Sequence, residues 1–265
     1  MKSFFNVACA VATIASACVV ASPGANAATL VASYGFDNTL AASQAGVASL
    51  VSVDPLGLNH FESATVHGQT QQVFAWSGSA SSSNLNAGLQ LDTTGLVAYN
   101  NYSISMTFEF QALPQFGGGW RRVVDTQNRQ SDNGFYVDPG EHLQVYPVVS
   151  GSTFFTTGEF HDVVLTNFVV NGVREVKAYL DGNLELTSDT DQLNLDNANN
   201  PGHVLSFFLD NLAGGAQQEF ANGRIASLSL YDGVIVPSPV PEPGTYALLL
   251  AGLMVVGAAA RRRAL

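Results

Sequence analysis

The chain has 265 residues and a formal net charge of −11, from 10 lysines and arginines against 21 aspartates and glutamates. That acidic balance argues against a nucleic-acid partner, because it repels phosphates rather than releasing their counterions. Both cysteines, Cys9 and Cys18, fall in the first twenty residues, so the rest of the chain has no thiol nucleophile, disulfide or cysteine metal ligand.

At the N-terminus, Lys2 precedes an apolar run from Phe4 to Val20, a Ser22-Pro23-Gly24 break and the small-x-small triplet Ala25-Asn26-Ala27. This predicts a signal peptide over residues 1–27, cut by signal peptidase after Ala27. A lipoprotein alternative through Ala15-Ser16-Ala17-Cys18 lacks the Leu or Val expected three residues before the cysteine.

Residues 28–235 suffice for one domain with its own core. Between Ala28 and Val240 only six residues are basic and 20 are acidic, a net of −14. No helical period occurs there; apolar residues alternate or come in short runs broken by Gly, Asn, Asp, Ser and Pro. Strands are expected at Leu30 to Phe36, Gly88 to Leu91, Ser103 to Phe110, Arg122 to Asp125, Gly134 to Val137, Leu143 to Val148, Val204 to Leu209 and Arg224 to Tyr231. Between Phe160 and Leu186, the dipeptides Asn171-Gly172 and Asp181-Gly182 supply two tight turns and so three antiparallel strands. The stretches Ser77 to Asn86 and Asn194 to Gly202 read as surface loops. About a dozen short strands without a repeat describe an all-β fold of two packed antiparallel sheets.

The segments Tyr102 to Phe108, Trp120 to Asp125, Ser131 to Tyr136, Tyr179-Leu180-Asp181-Gly182, Phe207 to Asn211 and Gly223-Arg224-Ile225 fall in an order that resembles the bacterial laminin-G-like, concanavalin A-like jelly rolls. The resemblance spans most of residues 29 to 235. It implies a β-sandwich that binds sugar or protein, in some members with calcium, and does not by itself fix an activity.

On that fold the candidate metal ligands for Ca²⁺ are Asp210-Asn211 after one strand and Asp132-Asn133 before another, with Glu219 a third contributor, since a hard cation takes oxygen ligands. Asx residues at such places also cap turns through their own backbone. For ligand binding, a glycine run leads to Trp120, Arg121 and Arg122: the indole can stack on a sugar ring and the guanidinium groups can bond its hydroxyls. The alternative is structural, with Trp120 in the core and Arg121 or Arg122 paired to Asp125 or Asp132. Related glycosidases set two carboxylates on alternate residues of one strand. Here Glu109 has no such partner, and Glu159-Phe160-His161-Asp162 brings one carboxylate and one histidine together. His60, His67, His142, His161 and His203 are scattered without zinc spacing, and no nucleophile elbow, phosphate loop or dinucleotide fingerprint is present.

Residues 236–244 form a proline-spaced, extended linker. They lead through Val240, Pro241, Glu242 and Pro243 to an apolar segment, 245–260, and then to Arg261, Arg262 and Arg263 in a terminal tail, 261–265. Sixteen helical residues reach about 24 Å, short of the roughly 30 Å hydrocarbon core, and Tyr246 at one interface with snorkelling arginines at the other closes the gap. The positive-inside rule places the arginines in the cytoplasm and the domain outside. These three parts in order resemble the PEP-CTERM sorting signal of Gram-negative bacteria, which implies recognition by a membrane exosortase and a transient anchor. The expectation is an exported, noncatalytic protein that binds a glycan or matrix protein in the extracellular polymer layer. Alternatives are a structural matrix component without a discrete site and a polysaccharide-active glycosidase.

Overall fold

In a computed structural model, residues 28–111, 117–213 and 218–237 are described. The signal segment, Pro241 onward, and with it the apolar segment and the sorting residues Val240, Pro241, Glu242, Pro243, Arg261, Arg262 and Arg263, lie outside the described residues. Fifteen strands run in chain order: β1 (Thr29–Tyr34), β2 (Val51–Val53), β3 (His60–Val66), β4 (Gln69–Trp76), β5 (Gly88–Asp92), β6 (Tyr102–Phe110), β7 (Arg121–Asp125), β8 (Gly134–Val137), β9 (His142–Tyr146), β10 (Val149–Phe154), β11 (His161–Val170), β12 (Val173–Leu180), β13 (Asn183–Ser188), β14 (Val204–Phe207) and β15 (Gly223–Asp232).

They form two antiparallel sheets. One has the order β13-β12-β11-β6-β15-β4-β3, with β1 also paired to β15; the other has the order β10-β9-β8-β7-β14-β5-β2. Period-two alternation builds the space between them. On β6, Tyr102, Ile104, Met106, Phe108 and Phe110 enter the core, which leaves Ser103, Ser105, Thr107 and Glu109 on the outer face. A bulge between Ile225 and Ser227 shifts the register of β15, and Ile225, Leu228 and Leu230 face the same core. Trp76 lies flat on Phe208, centroids 3.8 Å apart and 6° from parallel, and its indole N–H donates to the Ala221 carbonyl at 2.9 Å. Each such buried large side chain contributes about 1.5–3 kcal/mol, and no disulfide supplements them.

Both predicted tight turns form, with positive φ at Asn171, Gly172, Asp181 and Gly182. A third turn of the same kind, His67-Gly68, joins β3 and β4, with φ of 47° and 80°. Only Phe74, Ala75 and Trp76 of β4 pair with β15. The rest of the hairpin arches over the outer face, where Ala64, Val66 and Val73 close a small second core with Ala226 and Phe160. His67 at its tip comes within 3.4 Å of Asp162 on β11.

The loop expectations need correction. In the stretch Ser77 to Asn86, Ser83 and Asn86 are buried, because Arg129 reaches in to donate to the Ser83 carbonyl at 2.6 Å and the Ser83 hydroxyl donates to Asp210. Within Asn194 to Gly202, Asn200 is buried and its side chain donates to the carbonyls of Thr126 and Val204. The strand expected from Leu143 to Val148 stops at Tyr146, and the chain turns at Pro147 into β10.

Candidate functional site

Strand alternation creates an aromatic surface on the outer face of the second sheet. Phe135 and Val137 of β8, and Leu143 and Val145 of β9, belong to the core, so Tyr136, Gln144 and Tyr146 point the other way. Register sets Gln144 opposite Tyr136. Trp120, at the foot of β7, completes the group: its ring stands edge-on to Tyr136 at 5.6 Å and to Tyr146 at 5.1 Å. Trp120 and Tyr146 are partly exposed, whereas Tyr136 is buried. Trp120 is therefore neither a core residue nor a free loop side chain, but part of a half-open aromatic wall. Gly118 and Gly119, with φ of 64° and 98°, turn the chain into it.

The two neighbouring arginines do not reach solvent. Arg122 is 1 % exposed and Arg121 is fully buried, which corrects the expectation that their guanidinium groups bond a sugar. Arg122 donates to Asp125 at 2.8 Å and to the carbonyls of Ser131 and Asn133 at 3.0 Å, and its guanidinium lies 4.8 Å from the Tyr136 ring centre. Burial penalises its charge, yet Tyr136, Asp125, Asp210 and Glu219 outweigh that and hold the cation above its ordinary range. Arg121 donates to Thr157 at 2.8 Å and sits 3.7 Å from Glu141. The internal pair of Arg122 with Asp125 is the structural alternative read from the sequence.

Asp132, Asp210, Asn211 and Glu219 come together beside this wall. Asn211 donates to Asp132 at 3.1 Å, and Asp210 accepts from the backbone N–H groups of Asn211 at 2.6 Å and Glu219 at 3.2 Å and from the Ser83 hydroxyl at 3.0 Å. Asn133 contributes its carbonyl to Arg122 rather than its amide to the cluster. Burial, then the charges of Asp132 and Asp210, push the Glu219 carboxyl up to about 8 against the pull of Arg122 and of the Tyr136 hydroxyl, and among the described residues its Oε2 is buried without a hydrogen-bond partner. Oxygen donors are what Ca²⁺ takes, but Asp210 is spent on protein donors and two arginines balance the charge. Among the described residues no group of three or more His, Cys, Asp or Glu could hold a metal. The residues Asp132, Asn133, Asp210, Asn211 and Glu219 do not fit a calcium ion; they form a buried polar network.

On the opposite sheet a groove of about 530 Å³ opens between the arched hairpin and the sheet, lined by Thr65, His67, Glu109, Glu159, Phe160 and Arg224. Glu109, only 2 % exposed, accepts from Arg224 at 2.6 Å, and the same guanidinium reaches Glu62 at 3.3 Å. Nearby, His161 turns inward and bonds Asp181 at 2.8 Å; burial lowers this imidazole, but the Asp181 bond and charge and the Thr156 carbonyl leave it raised. Sequence reasoning named Glu109 and His161 but missed Arg224 and Glu62, whose meeting depends on the β3–β4 hairpin.

Against known proteins, a model of the PEP-CTERM protein-sorting motif matches residues 239–263. The chain carries a PEP-CTERM sorting signal. The PEP-CTERM motif implies export and membrane attachment through the tail, and among the described residues no helix is long and apolar enough to cross a membrane. No curated protein sequence matches the chain. Among solved structures, the chain is similar to domain 4 of AbnA, a GH43 extracellular arabinanase from Geobacillus stearothermophilus in complex with arabinotriose, at 19 % identity over 80 % of this chain and 95 % of that one, with a TM-score of 0.55. It is also similar to the binding domain of botulinum neurotoxin DC in complex with SialylT, at 14 % identity over 78 % of this chain and 48 % of that one, with a TM-score of 0.49. At these identities the arabinanase likeness shows the β-sandwich fold alone.

Proposed function

We propose that this exported PEP-CTERM protein is noncatalytic and binds a neutral or amine-bearing glycan of the extracellular polymer layer on the Trp120, Tyr136 and Tyr146 face. The observation that carries the reading is that wall: three aromatic rings set on the outer face of a sheet, two of them partly open to solvent, with the Gln144 amide beside them. An aromatic face and a few polar groups are what sugar rings require. Charge narrows the class. The basic residues of the described domain all have partners: Arg121, Arg122 and Arg129 inside, Arg174 with Asp191, Lys177 with Glu175, and Arg224 with two glutamates. A uronate or sulfate would meet carboxylates instead. The noncatalytic reading is supported by the tie of Glu62 and Glu109 to the one guanidinium of Arg224, which engages both carboxylates in ion pairs instead of leaving them to face each other across the groove. An exosortase is the proposed reader of the tail.

A glycan array probed with residues 28–237, with calcium and with a chelator, tests this. Neutral or amino-sugar polymers should bind equally in both conditions, and Trp120→Ala should abolish binding while the domain still melts cooperatively. Binding confined to acidic glycans, or unchanged binding by the Trp120→Ala protein, would sink the reading; no binding at all would favour a structural matrix role.

A further inference from the structure

We infer that the domain stands on its two chain termini and presents the Trp120 wall and the Arg224 groove at the opposite end, so that these two surfaces engage partners lying beyond the membrane that anchors it rather than the lipid headgroups beneath. The argument starts from β6 and β15. They pair antiparallel from Tyr102 opposite Asp232 to Phe110 opposite Gly223. Thr29, the first strand residue, pairs with Asp232, so the chain enters the sandwich at the point where it leaves toward the linker and tail. The Gly233 N–H bonds the Asn101 carbonyl at that same end.

The other end carries the Trp120 wall and the Arg224 groove, whereas a second groove of about 530 Å³, lined by Val173, Arg174, Glu175, Thr187, Ser188 and Asp189, lies at the terminus end. Gln111 bonds Asn222, Gly158 bonds Phe110, and Arg122 bonds Glu219 through their backbones. Arg121 lies 5.4 Å from the Phe110 ring centre, which fixes Trp120 beside it, and the Glu109–Arg224 pair of the groove sits one residue from Phe110 and Gly223. The nine residues of β6 separate the two ends by about 26 Å, eight intervals of about 3.3 Å. The inference rests on the glycan reading only for the identity of the partner; the orientation stands without it.

The test uses the full-length chain with Cys9→Ser and Cys18→Ser, which leaves no other cysteine, reconstituted into liposomes through its own tail. A single dye is placed at Asn100→Cys or at Gln111→Cys, exposed positions at the two ends of β6, and a headgroup-attached quencher is titrated into the bilayer. Quenching should be several-fold stronger for the Asn100→Cys protein, and the ratio should persist when Trp120→Ala is added. Equal quenching at the two positions, strong or absent, or a reversed order would overturn the orientation. Loss of glycan binding in Trp120→Ala with the ratio intact would leave it standing, and failure of the glycan reading would leave the ratio unchanged.

Discussion

Glu219 gives the domain a stability that falls as pH rises. Burial beside Asp132 and Asp210 pushes its carboxyl up to about 8 in the folded chain; in the unfolded chain it returns to the ordinary 4.5 of an exposed glutamate. Between these values the native state holds a proton that the unfolded state has released, so stability is full below about pH 4.5 and is lost as pH climbs through about 8. The slope cannot exceed about 1.4 kcal/mol per pH unit. Since solvent still reaches part of this side chain, screening trims the total to about 2 kcal/mol between pH 5 and pH 8.5. Glu219→Gln keeps the shape of the protonated acid and cannot ionise. The substituted protein should match the original at pH 5 and exceed it at pH 8.5 by about 2 kcal/mol, a Tm difference of about 4–8 °C for a domain of this size. Thermal unfolding followed by circular dichroism across that pH range, in a chelator so that no cation can neutralise the cluster, reads the difference. Parallel Tm–pH curves for the two proteins, or a less stable Glu219→Gln at pH 8.5, would refute the reasoning.

Two further perturbations probe the frame around the site. A Cβ added at Gly223 would lie 2.3 Å from the Glu109 carbonyl and 2.3 Å from the Trp76 ring, so Gly223→Ala should cost about 1–3 kcal/mol by overpacking, read as a lowered urea midpoint at an unchanged m-value; a midpoint equal to the original would show that the strand end yields freely. Arg122→Met strips Asp125 of its buried counter-charge while the N–H groups of Gln127 and Arg129 still hold it, at a cost of about 3–5 kcal/mol. Adding Asp125→Asn should return part of that loss, and strict additivity in the double-mutant cycle would show that the pair is not coupled.

The sheets were legible where the chain alternates cleanly and turns on Asn-Gly or Asp-Gly, as from β11 to β13, because both signals are local. The β3–β4 hairpin has the same turn geometry, but His67 takes the left-handed position where Asn is usual, and Gln69 to Gln72 dilute the apolar pattern of β4. Its arch over the outer face, and with it the meeting of Glu62, Arg224 and Glu109, depends on contacts between residues far apart in sequence. The acidic cluster shows the opposite failure. Asp132, Asp210, Asn211 and Glu219 stand out by their loop positions, but the sequence leaves open whether they hold calcium or cap turns, because the cations beside them are Arg122, whose internal pairing is only one of its two sequence readings, and Arg129, whose path into the Ser77 to Asn86 stretch leaves no mark on the sequence. Trp120 sits between the two cases: its half-exposed setting follows from Tyr136 and Tyr146 being on alternate positions of adjacent strands, a pattern visible only once β8 and β9 are known to pair.

The distribution of charge ties the fold to its outward role. A domain without disulfides, built on an acidic chain, must restrain the repulsion among its own carboxylates, and it does so by drawing its few cations inward. Arg122 and Arg129 secure the loops behind the aromatic wall, and Arg224 clasps two strands to the arched hairpin. The surface that remains is strongly negative, which favours solubility outside the cell and keeps like-charged polymers away. On the proposed glycan reading, recognition is then left to groups that need no charge, the indole and phenol faces with amides and carbonyls around them. The same partition makes the site dependent on the interior: Arg122 stacks under Tyr136, and Tyr136 supports Trp120, so the wall is only as firm as the buried ion pair beneath it.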